Sequence, residues 1–202
     1  MTLNLDRART ALLVLHFQND IVDEGGAFKD FGFAAHVTQN DVLAKAARLL
    51  QAARGAGVQV IHVAVRFRPG YPERPPNGAL FGGLVEANAL VEGTWGAAIH
   101  EAVAPEDGEP VVTNLAVSAF YGSGLAALLA TGGKRTLVLC GVATNFVVEG
   151  TARDATDRGF DVVIAGDCCA SMSQEAHDAA LTTALPMLTT ISDVDEVVAA
   201  LG

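Results

Sequence analysis

Leu139-Cys-Gly-Val-Ala-Thr-Asn-Phe-Val-Val-Glu-Gly-Thr-Ala-Arg-Asp154 is the stretch on which the fold turns. An apolar run, Thr136–Cys140, ends on Gly141, and a turn of small residues leads into a helix carrying Thr151, Arg153 and Asp154. A strand, a tight turn and a helix N-terminus make a frequent frame for a site. The first N–H groups of such a helix have no partner inside it and point at whatever lies in front. The residue that faces this site from the first helical turn is Val147, which has no reactive group. The frame suits an active site, yet its centre is inert.

Working outward, the same alternation recurs along the chain. Ala11–His16 is an apolar run long enough for a buried strand and too short for a helix. Val37–Arg54 has apolar residues near helical spacing, with Thr38 or Asn40 as N-cap and Gly55 and Gly57 as the stop. Val58–Val65 and Pro110–Thr113 read as strands two and three, and Gly124–Ala130 as a helix. Between those strands, Arg66–Glu109 reads as irregular, a long loop of the kind that carries function or a partner-facing surface. After strand four, Asn145–Arg158 is expected as a helix and Phe160–Ala165 as strand five. Ser171-Met-Ser-Gln174 has the pattern of a capping box opening a helix through Leu185, with Pro186 near its end. Leu188–Ile191 gives strand six, and Ser192-Asp-Val-Asp195 caps a last helix ending near Leu201.

Strands regularly alternating with helices predict an α/β fold: a three-layer α/β/α arrangement around a six-stranded, mostly parallel sheet. With no linker or internal repeat, residues 1–202 read as one domain. Ligands of such sheets lie outside the carboxyl ends of the strands, where the strand order reverses. That rule selects His16–Asp20, Arg66–Arg68, Asn114–Tyr121, Gly141–Val147 and Asp167–Ser171.

Composition narrows the partners. A formal charge of −10 argues against nucleic acid and anionic membrane surfaces. No apolar run is long enough to span a bilayer, and the first residues lack the basic and apolar regions of a signal peptide. Cys140, Cys168 and Cys169 cannot all pair within the chain, so reduced thiols in the cytoplasm are expected. Neither these cysteines nor the dispersed His16, His36, His62, His100 and His177 have metal-ligand spacing, and no cofactor or metal is expected.

Four ordered segments resemble the isochorismatase-like (cysteine hydrolase) superfamily. They are Leu13-Val-Leu-His-Phe-Gln-Asn-Asp20, Val111-Val-Thr-Asn-Leu-Ala-Val-Ser-Ala-Phe-Tyr-Gly-Ser-Gly-Leu125, Gly141–Ala155, and Phe160–Asp167 followed by His177. The resemblance implies a six-stranded parallel sheet between helices, a small-molecule substrate and a homodimer or homotetramer. It also implies an Asp–Lys–Cys triad, and the three matching positions hold His16, Asn114 and Val147. An isopropyl group cannot attack a carbonyl, so a covalent thiol mechanism is not expected at this place. The turn Val142-Ala143-Thr144 matches one in which a cis peptide not at proline helps aim N–H groups, near Ala143 and Val147, into an oxyanion hole.

His16, at a strand's carboxyl end, is the candidate general acid or base; the alternative is a half-buried histidine hydrogen-bonded to backbone or to Asn114. Asn114 either orients His16 or fills the lysine's space. Phe17, Trp95, Phe120 and Tyr121 are candidate pocket walls, and Ser118 and Thr144 candidate substrate contacts. Gln18 is expected to fix the loop after strand one through its amide. Arg66, with Arg68, is a candidate binder of an anionic substrate. Three functions follow: a hydrolase working without a covalent intermediate, an inactive relative that binds a small molecule or serves as an oligomeric scaffold, or a hydrolase whose nucleophile is a displaced thiol, Cys140, Cys168 or Cys169.

Overall fold

The computed structural model describes residues 3–202. The chain opens with β1 (Thr10–Leu15), α1 (Asn19–Val22), α2 (Phe33–Gln39), α3 (Val42–Gly55) and β2 (Gln59–Val65). Next come α4 (Ala79–Glu86), β3 (Val111–Asn114), α5 (Leu125–Thr131) and β4 (Thr136–Val142). A π-helical turn over Thr144–Val148 leads into α6 (Glu149–Asp157), then β5 (Asp161–Ala170), α7 (Gln174–Thr182), β6 (Thr190–Ser192) and α8 (Val194–Leu201).

The six strands form one all-parallel sheet in the order β3-β2-β1-β4-β5-β6. Residues along the central strands are mostly apolar because both faces of a parallel sheet are covered; buried His62 of β2 is an exception, paired with Glu109 at 3.0 Å. On one face Leu12, Val14, Val60, Val138 and Val163 pack with Leu49 and Leu50 of α3 and Val197 of α8. On the other, Leu13, Leu15, Ile61 and Leu139 pack with Leu125 and Leu129 of α5 and Ala152 of α6. Each fully buried leucine or isoleucine here contributes about 1.5–3 kcal/mol of transfer free energy. Helix α3 follows from Val42, Ala46, Leu49, Leu50 and Ala53, which form one buried stripe, and it stops where Gly57 adopts φ +69°.

Several local expectations need correction. The predicted helix over Val37–Arg54 is two helices, broken where Asp41 takes φ +52° and serves as the N-cap of α3 in place of Thr38 or Asn40. The Arg66–Glu109 span is not irregular throughout, since it contains α4. The helix expected from Asn145 begins as a π turn, a form that recurs at functional sites. Strand five does not stop at Ala165. Between Leu139↔Ile164 and Gly141↔Cys169 its register shifts, so Gly166 and Asp167 belong to an irregularity inside β5 and Cys168 and Cys169 lie in the strand.

The cap of α7 is Ser173, whose hydroxyl accepts from Ala176 N–H; Ser171 instead donates to Asn145 Oδ1 at 2.6 Å. Likewise Asp193, not Ser192, caps α8, and its side chain accepts from Glu196 N–H. Helix α7 ends at Thr182, with Pro186 in a separate 3₁₀ turn. Strand six starts two residues late, at Thr190, leaving Leu188 exposed.

Candidate active site

In this strand order the connections reverse direction between β1 and β4, so the carboxyl ends of these neighbours open a crevice. The two strands approach closely here: a Cβ on Gly141 would strike the Leu15 carbonyl oxygen. Beyond Leu15 the chain turns sharply at His16, whose φ of +55° is unusual for a residue with a Cβ. Beyond Val142 a cis peptide joins Val142 to Ala143. The Ala143 carbonyl accepts from Phe146 N–H (3.1 Å) and Val148 N–H (3.3 Å).

A pocket of about 80 Å³ lies in front of Val147. Its floor includes Val65, Val142, Ala143 and Val147, and its sides include Phe28, Phe33, Phe81 and Leu84. His16 is the one side chain of this wall that carries a polar atom, among the described residues. The volume corresponds to about half a dozen waters at ~10–15 Å³ each, which suits a small molecule.

The tautomer of His16 follows from Asn114. The Asn114 amide nitrogen donates to Ala116 O (2.7 Å) and Ser118 O (3.1 Å), so its Oδ1 faces His16. Oxygen Oδ1 can only accept; the 2.9 Å contact therefore puts the proton on His16 Nε2. Nδ1 is then an acceptor, with no partner among the described residues, and it is not among the sealed, unpartnered atoms. His16 lines the pocket, and that is where Nδ1 finds its opening. Burial pushes the imidazole down to about 4, against a smaller upward pull from the Asn114 hydrogen bond, and keeps it neutral at pH 7.

The sequence matches the isochorismatase domain family over residues 10–196. The chain belongs to this family. Among its relatives, the ureidoacrylate amidohydrolase RutB of Methylobacterium radiotolerans is 34% identical, covering 98% of this chain and 81% of its own length. The maleamate amidohydrolase of Pseudomonas putida is 33% identical over 86% of this chain and 78% of its own. An isochorismatase family protein from Desulfovibrio vulgaris superposes with a TM-score of 0.83 at 27% identity, covering 96% of this chain and all (100%) of that one. A cysteine hydrolase from Pseudomonas syringae reaches 0.85 at 24% identity, over 98% and 95% of the two chains, a likeness of fold. This chain is accordingly an isochorismatase-family hydrolase by descent.

The isochorismatase-type fold brings His16, Val142, Ala143 and Val147 to one pocket, with Asn114 directly behind His16. The other candidates stand outside its wall. Gln18 spends its amide on backbone: Nε2 donates to Val65 O (2.8 Å) and Ala97 O (3.0 Å), and Oε1 accepts from Val65 N–H (2.8 Å). Phe17 is core. The Arg66 guanidinium is turned to Ala97 O at 3.2 Å, and Trp95 is exposed. Ser118 donates to Asp154 Oδ2 (2.8 Å), while Phe120 stacks on Phe160 under the Arg158 guanidinium. Tyr121 is exposed, and Thr144 pairs with His177 Nδ1 at 2.8 Å.

Sequence reasoning missed most of the pocket's apolar wall. Leu80, Phe81 and Leu84 come from α4, inside the span read as loop, and their spacing along Ala79–Glu86 was the available signal. It included Asp20 in the segment His16–Asp20 but gave it no role; the structure shows a buried carboxylate that accepts from Leu90 N–H (2.7 Å) and Ala27 N–H (3.1 Å) and so ties two wall segments together. Gly96 is required beside it, because a Cβ there would collide with the Asp20 carboxylate. Among the described residues no group of three or more His, Cys, Asp or Glu side chains could hold a metal. No helix among them is long and apolar enough to cross a membrane.

Proposed function

We propose that this chain hydrolyses a small carbonyl compound, an amide foremost, by acid–base catalysis at His16 without a covalent bond to the enzyme. The observation that carries the reading is the unpaired Nδ1 of a neutral His16, held in one tautomer by Asn114 and opening beside Val147. Nδ1 takes a proton from water, and the water oxygen bonds to the carbonyl carbon. The N–H groups of Ala143 and Val147 hold the resulting oxyanion. As the C–N bond breaks, the proton on Nδ1 passes to the leaving nitrogen, and His16 returns neutral.

With a pKa near 4 the imidazole has the basicity of an ordinary carboxylate, and its protonated form is acidic enough to serve the leaving group well. Relatives named as amidohydrolases support the amide class. The three thiols argue against a displaced nucleophile. All are buried, and burial raises each one, Cys169 to about 12.

A screen over amides, esters, lactones and vinyl ethers tests this, repeated on His16→Ala and on alkylated protein. His16→Ala should lose about 100- to 10,000-fold in kcat/KM and alkylation should change nothing. Full activity in His16→Ala sinks the assignment. The apolar surroundings of Val147 favour a second reading, a non-catalytic relative that binds a small molecule or acts as an oligomeric scaffold. Inactivity across the screen, with a ligand that still raises Tm, selects it. By resemblance the working form is a homodimer or homotetramer of one-domain chains (residues 1–202), and three free thiols fit a reducing cytoplasm.

A further inference from the structure

Resting on the reading of this pocket as the substrate site, we propose that it takes an uncharged molecule with a compact apolar body and one hydrogen-bond donor, and rejects carboxylates. Two relatives are named for carboxylates, ureidoacrylate and maleamate, so the inference separates this chain from them. A carboxylate stripped of water needs a cation or several donors to replace its hydration. The wall offers Phe28, Phe33, Leu80, Phe81, Leu84 and Leu90, whose side chains offer nothing to an anion.

Cations near in sequence are engaged elsewhere. Arg66 donates to Ala97 O, and Arg68 pairs with Glu73 at 3.3 Å. The N–H groups of Ala143 and Val147 are too few to replace a carboxylate's hydration without a cation. The one polar side chain of the wall, His16, presents the lone pair of Nδ1, which would repel a carboxylate oxygen. That lone pair matches an amide N–H or a hydroxyl on a neutral ligand. The cavity sets the size at about six to eight non-hydrogen atoms.

The test is NMR titration of the intact protein at pH 7.5 with isobutyramide, isobutanol and isobutyrate, following the amide signals of Ala143 and Val147. Isobutyramide and isobutanol should shift them with Kd values of about a millimolar, as befits so few atoms. Isobutyrate should bind on the order of 100-fold more weakly. Leu80→Arg puts a guanidinium on a half-exposed wall position, where folding is safe, and should bring isobutyrate to within a few-fold of the amide. Isobutyrate binding the unaltered protein as tightly as isobutyramide overturns the proposal, as does failure of both neutral probes to bind. Binding of isobutyramide without turnover of any amide leaves the ligand class standing and removes the catalytic reading alone.

Discussion

Two histidines at the carboxyl edge of the sheet are held in the same way and end in opposite situations. His16 donates from Nε2 to a side-chain amide oxygen, that of Asn114. His36 does the same to Gln174 Oε1 at 3.1 Å. The second nitrogen decides the difference. His36 Nδ1 accepts from Ser171 N–H at 3.2 Å, whereas His16 Nδ1 has no partner and opens into the pocket.

The cleft around His36, of about 330 Å³, is rich in polar side chains, including Asn40, Lys45, Asp167, Gln174 and His177. Nearly all of them have partners in the protein: Asp167 accepts from Val194 N–H, Gln174 donates to Asp178, His177 pairs with Thr144. The side chains around the pocket at His16 are apolar but for His16 itself. Polar residues in number do not mark a site; an unanswered polar atom in an apolar wall does.

Acid should separate the two regions most strongly. His16 has a folded pKa of about 4 against an ordinary value of 6.5, so between these the unfolded chain holds a proton that the folded one does not. Stability from this group is complete above pH 6.5 and is lost as pH falls toward 4, by about 3 kcal/mol. His177 and His62 are also pushed down by burial, so they add in the same direction. Urea midpoints at pH 7 and pH 4.5 should therefore differ widely. His16→Gln should remove more of that difference than His177→Gln; equal effects would break the distinction drawn between the two regions.

A smaller effect is expected where the cleft reaches the Gly141–Val147 turn. Thr144→Val keeps the shape of a fully buried residue and leaves His177 Nδ1 without its partner. The cost should be about 1–3 kcal/mol in denaturant unfolding. Because the hydroxyl lies outside the pocket wall, isobutyramide should bind nearly unchanged. The smallest effect belongs to Lys45, 4.0 Å from Asp167 and partly exposed. Lys45→Met should move stability by less than about 0.5 kcal/mol, since water screens such a pair. A larger loss would show that the cleft holds its charges more tightly than its exposure implies.

The number of strands and their alternation with helices were legible in the sequence because the central strands are predominantly apolar runs closed by polar or small residues. Val58–Val65 and Thr136–Cys140 match β2 and β4 nearly residue for residue. Where reading failed, a local signal had a second meaning. Gly166-Asp167 looks like the end of a strand and is an irregularity within β5, held by the pairing of Cys169 with Gly141. Ser171 and Ser173 are both able to cap, and the bond from Ser171 to Asn145 decides between them. Leu80, Phe81 and Leu84 occupy a short helix among glycines; Leu84 alone of the three is buried, and what marks them is the pocket they line.

The sequence by itself determined the layered α/β architecture, the family, and the presence of His16, Asn114 and Val147 around one turn. Periodicity and ordered motifs are local or nearly so, and they survive in one dimension. Only the tertiary structure decided which nitrogen of His16 carries the proton, since that depends on Asn114, 98 residues away, being held by the Ala116 and Ser118 carbonyls. It alone decided that the pocket is apolar, because its wall is gathered from α4, the segment before α2 and the ends of β2 and β4. Hydrogen-bond satisfaction and solvent exclusion are properties of neighbours in space, and no window along the chain contains them.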